Sequence, residues 1–141
     1  MNDHRWDNLT DAQWDAFATA WIAELSGTDA PPLLPDLPWP LDDPPSNAGG
    51  YVVPMNFTAS AEAQWKFIMA AYWRGNEKTH GHLAAGPVEH LLGNHGEDYI
   101  ALFEQVAEDD PLFANMLKGC YQYQMTDDVW QRLRAARGDA E

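Results

Sequence analysis

The chain has 141 residues, of which 45% are apolar and 12% aromatic, enough to bury a hydrophobic core without disulfides or a structural metal. Its 22 carboxylates against eight basic side chains give a net charge of −14, which excludes nucleic acid and anionic membrane as expected ligands. A basic protein partner is the better match, and plain solubility is the alternative explanation of the charge.

The chain carries no sign of export. Its single cysteine, Cys120, has no internal partner for a disulfide. No apolar run approaches the length of about 18 residues that marks a membrane-spanning helix, and the first 25 residues lack the pattern of a signal peptide. We therefore expect a cytoplasmic protein.

The first predicted helix covers residues 9–26. Thr10 and Gln13 have the spacing of a capping box, and Gly27 follows the helix as a stop signal. The apolar residues between them recur at helical intervals and form one stripe: Trp14, Phe17, Ala18, Trp21, Ile22 and Leu25.

Residues 30–54 hold eight of the ten prolines. Because proline fixes φ and lacks an amide donor, we predict an extended strap here rather than a regular helix, with a strand-like stretch only at 51–53. Four residues of the strap combine carboxylates with an aromatic anchor and are predicted to contact a partner: Asp36, Trp39, Asp42 and Asp43. The alternative is that Trp39 only covers the end of the helical bundle.

A helical core is predicted over residues 58–137. Its first helix runs from Thr58 or Ser60 to Arg74, with a buried face made of Ala61, Trp65, Ile68, Met69, Tyr72 and Trp73. After a polar stretch through Gly81, Pro87 begins a short helix that Gly93 ends, and the turn 93–96 leads into another helix.

Two capped helices complete the predicted core. Asp110 and Pro111 begin a helix that continues to about Lys118, and Thr126 caps the last one. Val129, Trp130 and Leu133 are its predicted core contacts. The expected fold is therefore all-α, a single domain built as an orthogonal bundle of about five to six helices with a proline-rich strap.

The histidines raise the question of a metal site. Metal-ligating residue types cluster between residues 77 and 97: Glu77, His80, His82, Glu89, His90, His95 and Glu97. No two of these histidines have the i, i+4 spacing within one predicted helix, so we predict no metal and no cofactor. A metal-binding protein or metal-dependent enzyme that uses His82, Glu89 and His95 is the alternative.

Catalytic motifs are missing from the sequence, so an enzyme is the less favoured class. Glu89 is interpreted as a carboxylate in the first turn of a helix, and Cys120 as a buried structural thiol. His95 is left without a predicted role.

The string AAGPVEHLLGNHG at residues 84–96 resembles a small uncharacterised bacterial domain family with an A-A-G-P-[LV]-E-x-L-L core and a following H-G. The resemblance covers residues 60–135, and seven positions match the motif: Gly86, Pro87, Glu89, Leu91, Leu92, His95 and Gly96. It implies a bacterial source and a helical fold, and it implies no activity.

Together these observations favour a non-enzymatic acidic protein-binding module. An immunity-type inhibitor that neutralises a basic partner, such as a bacterial toxin, is one protein of that class. The metal-dependent alternative and a homodimer that buries exposed aromatic residues remain as further hypotheses.

Overall fold

The computed structural model describes residues 4–27 and 47–139, and within them the regular elements are helical, with no strand. The all-α prediction is therefore confirmed. The α-helices are α1 (Asp11–Leu25), α2 (Ala48–Thr58), α3 (Ala61–Arg74), α4 (Glu77–Leu83), α5 (Glu89–Asp109), α6 (Pro111–Met116) and α7 (Asp127–Ala136). Two 3-10 helices, His4–Asn8 and Leu117–Gly119, and one π-helical turn, Ala84–Val88, complete the set.

The chain divides into two compact units, Met1–Thr79 and His80–Glu141. Each unit has its own buried apolar residues and is described separately below. The single domain expected over residues 1–141 stays a prediction. No helix in the described residues combines the length and the apolarity that crossing a membrane requires.

In the first unit, α1 has the capping box that the sequence predicts. The Thr10 hydroxyl accepts a hydrogen bond from the Gln13 amide at 3.1 Å, and the Gln13 side chain accepts one from the Thr10 amide at 2.8 Å. The apolar stripe of α1 faces an aromatic cluster, in which the rings of Phe17 and Phe67 lie 4.8 Å apart. Trp6 from the preceding 3-10 helix is completely buried there.

The C-terminal part of the predicted strap is wrong, because residues 48–54 belong to α2. Pro54 lies inside that helix, where its missing amide removes a backbone hydrogen bond. Burial of Tyr51, Val52 and Met55 outweighs this local cost, since tertiary packing supplies most of a helix's stability. The strand-like interpretation of residues 51–53 is wrong for the same reason.

Helix α3 begins after its predicted Ser60 cap and ends at Arg74, but its buried face differs from the prediction. The buried side chains are Ala63, Gln64, Phe67, Ile68, Ala70, Ala71 and Tyr72. Trp65 and Met69 are half-buried, and Trp73 is 66% exposed. The small residues allow close packing, so the alanine-rich side turns inward and the row of Trp65, Met69 and Trp73 faces outward.

In the second unit, helical backbone extends from His80 to Asp109 and is interrupted at a kink within α5. His80 and His82 lie on α4 rather than in a polar loop, with His80 buried and His82 exposed. Pro87 lies inside the π-helical turn rather than at the start of a short helix. A π turn accommodates the proline because it shifts the local hydrogen-bond register.

The predicted turn at residues 93–96 occurs as a kink at which two helical segments of α5 meet, rather than as a separate loop. A Cβ atom on Gly93 would lie 2.6 Å from the Tyr123 carbonyl oxygen, and one on Gly96 would lie 2.9 Å from a methyl carbon of Val129. The two glycines therefore permit close packing against α5. The backbone departs from helical geometry at His95, with φ −136° and ψ 27°, and this residue marks a kink.

The two predicted caps of the last helices are confirmed. The Asp110 carboxylate accepts hydrogen bonds from the amides of Leu112 and Phe113 at the start of α6. Thr126 accepts one from the amide of Val129 at the start of α7. Helix α6 ends at Met116, and a 3-10 turn completes the stretch that was expected to be α-helical through Lys118.

Candidate functional site

The segment AAGPV at residues 84–88, part of the family-like motif, forms the π turn, and Glu89 follows it as the first residue of α5. Glu89 is buried, with only 8% of the residue exposed, and its carboxylate accepts a hydrogen bond from the backbone amide of Tyr121. Burial raises the pKa of Glu89, and this hydrogen bond offsets part of the increase. Glu89 lies in the first turn of α5 as predicted, but Val88 before it is already helical, and the carboxylate accepts its hydrogen bond from Tyr121 instead of from the amides of that turn.

Cys120 lies beside this carboxylate, and the sequence gives no indication of their proximity. Its thiol is buried and donates a hydrogen bond to the Ala84 carbonyl oxygen of the π turn at 3.2 Å. Burial and the nearby charge of Glu89 raise the pKa of the Cys120 thiol well above its usual range. The thiol therefore stays protonated at neutral pH, which agrees with the predicted structural role.

Arg137 joins the same cluster from the end of α7. Its guanidinium donates to the Cys120 carbonyl oxygen at 2.9 Å and contacts Asp139 at 2.8 Å, and it lies 4.9 Å from the ring centre of Trp130. Arg137 holds the pKa of the Asp139 carboxyl below its usual range. Glu89, Cys120 and Arg137 each form a hydrogen bond within the protein, and these bonds hold the segment after α6 against α5 and α7.

His95 lines a cavity of about 210 Å³ at the kink of α5. Glu97, Asp98 and Thr126 also line this cavity, and the polar groups provide carboxylate and hydroxyl acceptors. Within residues 4–27 and 47–139, no three histidine, cysteine or carboxylate side chains are grouped so that they could hold one metal ion. The structure therefore does not assemble His82, Glu89 and His95 into a metal site.

The first unit has a depression of about 260 Å³ between α1 and α3, which we call the Trp73 groove. It is lined by Asp11, Trp14, Asp15, Trp65, Lys66, Met69, Ala70, Trp73 and Arg74. The sequence does not reveal this surface, because the helical spacing of Trp65, Met69 and Trp73 is also the spacing of a core-facing row. The sequence signal that separates an exposed row from a core-facing one is the neighbouring alanine-rich row of α3, which packs into the core.

The predicted partner-binding residues of the strap, Asp36, Trp39, Asp42 and Asp43, lie outside the described residues. Of the predicted motif residues, Glu89 is buried in the cluster with Cys120, and His95 lines the cavity at the kink.

The fold and these surfaces define an all-α protein with two helical units, an aromatic groove on the first and a kinked helix in the second. The chain belongs to DUF6869, a family of unknown function whose model matches residues 47–140. This match confirms the expected domain of unknown function and extends beyond residues 60–135 at both ends. No curated protein and no solved structure matches the chain.

Proposed function

We propose that this protein is a non-enzymatic acidic module that binds a basic protein partner. The observation that supports the proposal most directly is the Trp73 side chain, 66% exposed at the Trp73 groove of a chain with a net charge of −14. Exposed aromatic side chains beside a concave apolar surface are typical of protein interfaces, where tryptophan often supplies much of the binding energy.

The acidic charge contributes to the proposal through association kinetics. Long-range attraction accelerates the encounter with a basic surface, and the buried aromatic contact then slows dissociation. Asp36, Trp39, Asp42 and Asp43 form a second proposed contact with the same partner. An immunity-type inhibitor of a basic toxin, working in the cytoplasm, is the specific role that we propose for such a module.

The test begins with capture of partners on the immobilised full-length protein and their identification by mass spectrometry. Each captured protein is then purified and titrated by calorimetry at low and high ionic strength. We expect a basic partner whose dissociation constant rises at least about tenfold between roughly 50 and 500 mM salt, because screening shortens the range of charge interactions. An affinity that stays constant over this range contradicts the electrostatic part of the proposal.

Sedimentation velocity distinguishes the homodimer hypothesis. A binding module is expected to sediment as a monomer at micromolar concentration and to form a larger species only with its partner. A stable dimer in the absence of any partner would favour the alternative in which the exposed aromatic residues bury against a second copy.

A further inference from the structure

Resting on the proposed function, we propose that the Trp73 groove binds an arginine side chain presented by an extended basic segment of the partner. The guanidinium group lies on the face of the Trp73 indole and beside the carboxylate of Asp11. Three features of the first unit support this assignment: the exposed indole, the pair of carboxylates on α1, and the length of the groove.

The exposed indole provides the surface for the cation. Trp65, Met69 and Trp73 follow one another at intervals of four residues along α3 and line the same side of the groove. Among aromatic side chains, tryptophan attracts a cation most strongly, and arginine stacks on it more often than lysine does. An arginine side chain also covers apolar surface with its methylene groups, which suits the neighbouring Met69.

The carboxylates on α1 provide the charge. Asp11 and Asp15 lie one helical turn apart and both line the groove. Asp15 already contacts the guanidinium of Arg74 at 3.0 Å, so an arginine group of this chain occupies the neighbouring position. Asp11 lines the same groove one turn earlier, and we assign its carboxylate to the arginine of the partner.

The two cations of the groove do not oppose this arrangement strongly, because each already faces a carboxylate. Arg74 contacts Asp15, and Lys66 lies 3.9 Å from Glu62. The net charge of −14 over the whole chain then attracts a basic segment.

The length of the groove favours an extended segment over a single small cation. A second depression of about 220 Å³ adjoins the Trp73 groove and shares Trp14 and Lys66 with it. Helix α3, which runs along both, has 14 residues and is therefore about 21 Å long. An extended chain of about six to seven residues spans this distance.

The test uses a fluorescein-labelled peptide of about seven residues with alternating arginine and serine, and the same peptide with citrulline in place of arginine. Binding to the full-length protein is measured by fluorescence anisotropy. We expect the arginine peptide to bind at least about tenfold more tightly than the citrulline peptide, which has the same shape without the charge.

Variants of the groove and matched variants of the second unit separate local recognition from general attraction to an acidic protein. Trp73→Ala is expected to weaken arginine-peptide binding about tenfold, Trp73→Phe less, and Asp11→Asn about threefold. The controls are Tyr121→Ala, which removes an aromatic residue that is 76% exposed, and Asp127→Asn, which removes an exposed carboxylate. Both controls are expected to change the affinity by less than about twofold.

Equal losses in Asp11→Asn and Asp127→Asn, with no effect of Trp73→Ala, contradict the inference, because the peptide would then respond only to net charge. A wild-type dimer that Trp73→Ala converts to a monomer also overturns it in favour of a second copy as the occupant. If a captured basic partner binds wild-type and Trp73→Ala protein equally, the groove assignment fails and the proposed function stands. The expected peptide pattern without any basic partner leaves the groove assignment standing and removes the proposed function.

Discussion

The carboxylate of Glu89 accepts a hydrogen bond from the backbone amide of Tyr121, and this contact joins the start of α5 to the segment that follows α6. Tyr121 itself is 76% exposed, so its backbone amide, rather than its ring, forms this contact inside the unit. Because Glu89 is both ionisable and buried, its contribution to the free energy of unfolding depends on pH.

Glu89→Gln is expected to change the pH dependence of folding. The pKa of Glu89 is raised in the folded state, so its protonated form favours folding: this contribution is complete below the ordinary pKa of about 4.5 and is lost as the pH rises through the folded-state pKa. The stability of Glu89→Gln relative to wild type should therefore increase with pH over that interval and then level off. Urea unfolding between about pH 4 and pH 8 measures the difference.

Glu97→Gln is the control for this experiment, since it removes an exposed carboxylate from the same helix. Stability curves for wild type and Glu89→Gln that run parallel across the whole pH range would contradict the prediction. Glu89→Ala, in contrast, leaves the Tyr121 amide without its acceptor and should destabilise the protein by about 1–3 kcal/mol.

Gly93→Ala is expected to destabilise the second unit by about 1–3 kcal/mol, because the new methyl group would lie 2.6 Å from the Tyr123 carbonyl oxygen and would displace backbone. Gly81→Ala is the matched helical control, since a Cβ there meets nothing within 4 Å. It should stabilise the protein by up to about 1 kcal/mol through helix propensity. Thermal unfolding of both variants gives the comparison, and a neutral Gly93→Ala would show that the contact is not restrictive.

Cys120 is expected to resist thiol reagents in the folded protein. It is 2% exposed, its pKa is raised by burial, and it is the single cysteine of the chain, so labelling reports on it alone. We expect the reaction with a disulfide reagent at about pH 8 to be at least about a hundredfold slower in buffer than in denaturing urea. Comparable rates in the two conditions would show that the cluster around Glu89 opens readily.

Glu24→Ala is expected to destabilise the first unit by about 1 kcal/mol. The Glu24 carboxylate accepts hydrogen bonds from the amides of Ala48 and Gly49, at 2.6 and 3.1 Å, and thus caps α2 from α1. The exposed Glu62, which lies near Lys66, provides the control, and Glu62→Ala should cost less than about 0.5 kcal/mol. Thermal unfolding followed by circular dichroism measures both, and equal effects would argue against the cap.

Local signals in the sequence predicted the starts of α1, α3, α6 and α7 but not those of α2 and α4. The caps at Thr10, Asp110 and Thr126 occur as expected, and Ser60 caps α3 as one of the two expected starts, because a capping side chain bonds to amides two or three residues away and needs no tertiary context. Glycine and proline were less informative. Pro54 was expected to prevent a helix and lies inside α2, and Gly93 was expected to end a helix and lies two residues before the kink of α5 at His95.

The candidate site was less predictable than the fold. The motif indicated Glu89 and His95, but nothing in the spacing shows that Cys120, 31 positions after Glu89, lies beside its carboxylate. Likewise, the row of Trp65, Met69 and Trp73 was assigned to the core, and only the packing of the alanine-rich face of α3 turns it outward.

By itself the sequence determined the helical class, the caps, the acidic charge and the family, because these depend on composition and on contacts within a few residues. Tertiary structure decided which side of α3 is buried and how deeply Glu89 is buried. It also shows that close packing leaves no room for a side chain at Gly93 and Gly96. Those outcomes depend on steric fit between segments that are distant along the chain. Apolar residues at helical spacing show that a helix has an apolar face. Which face becomes buried is determined by the segments that pack against the helix.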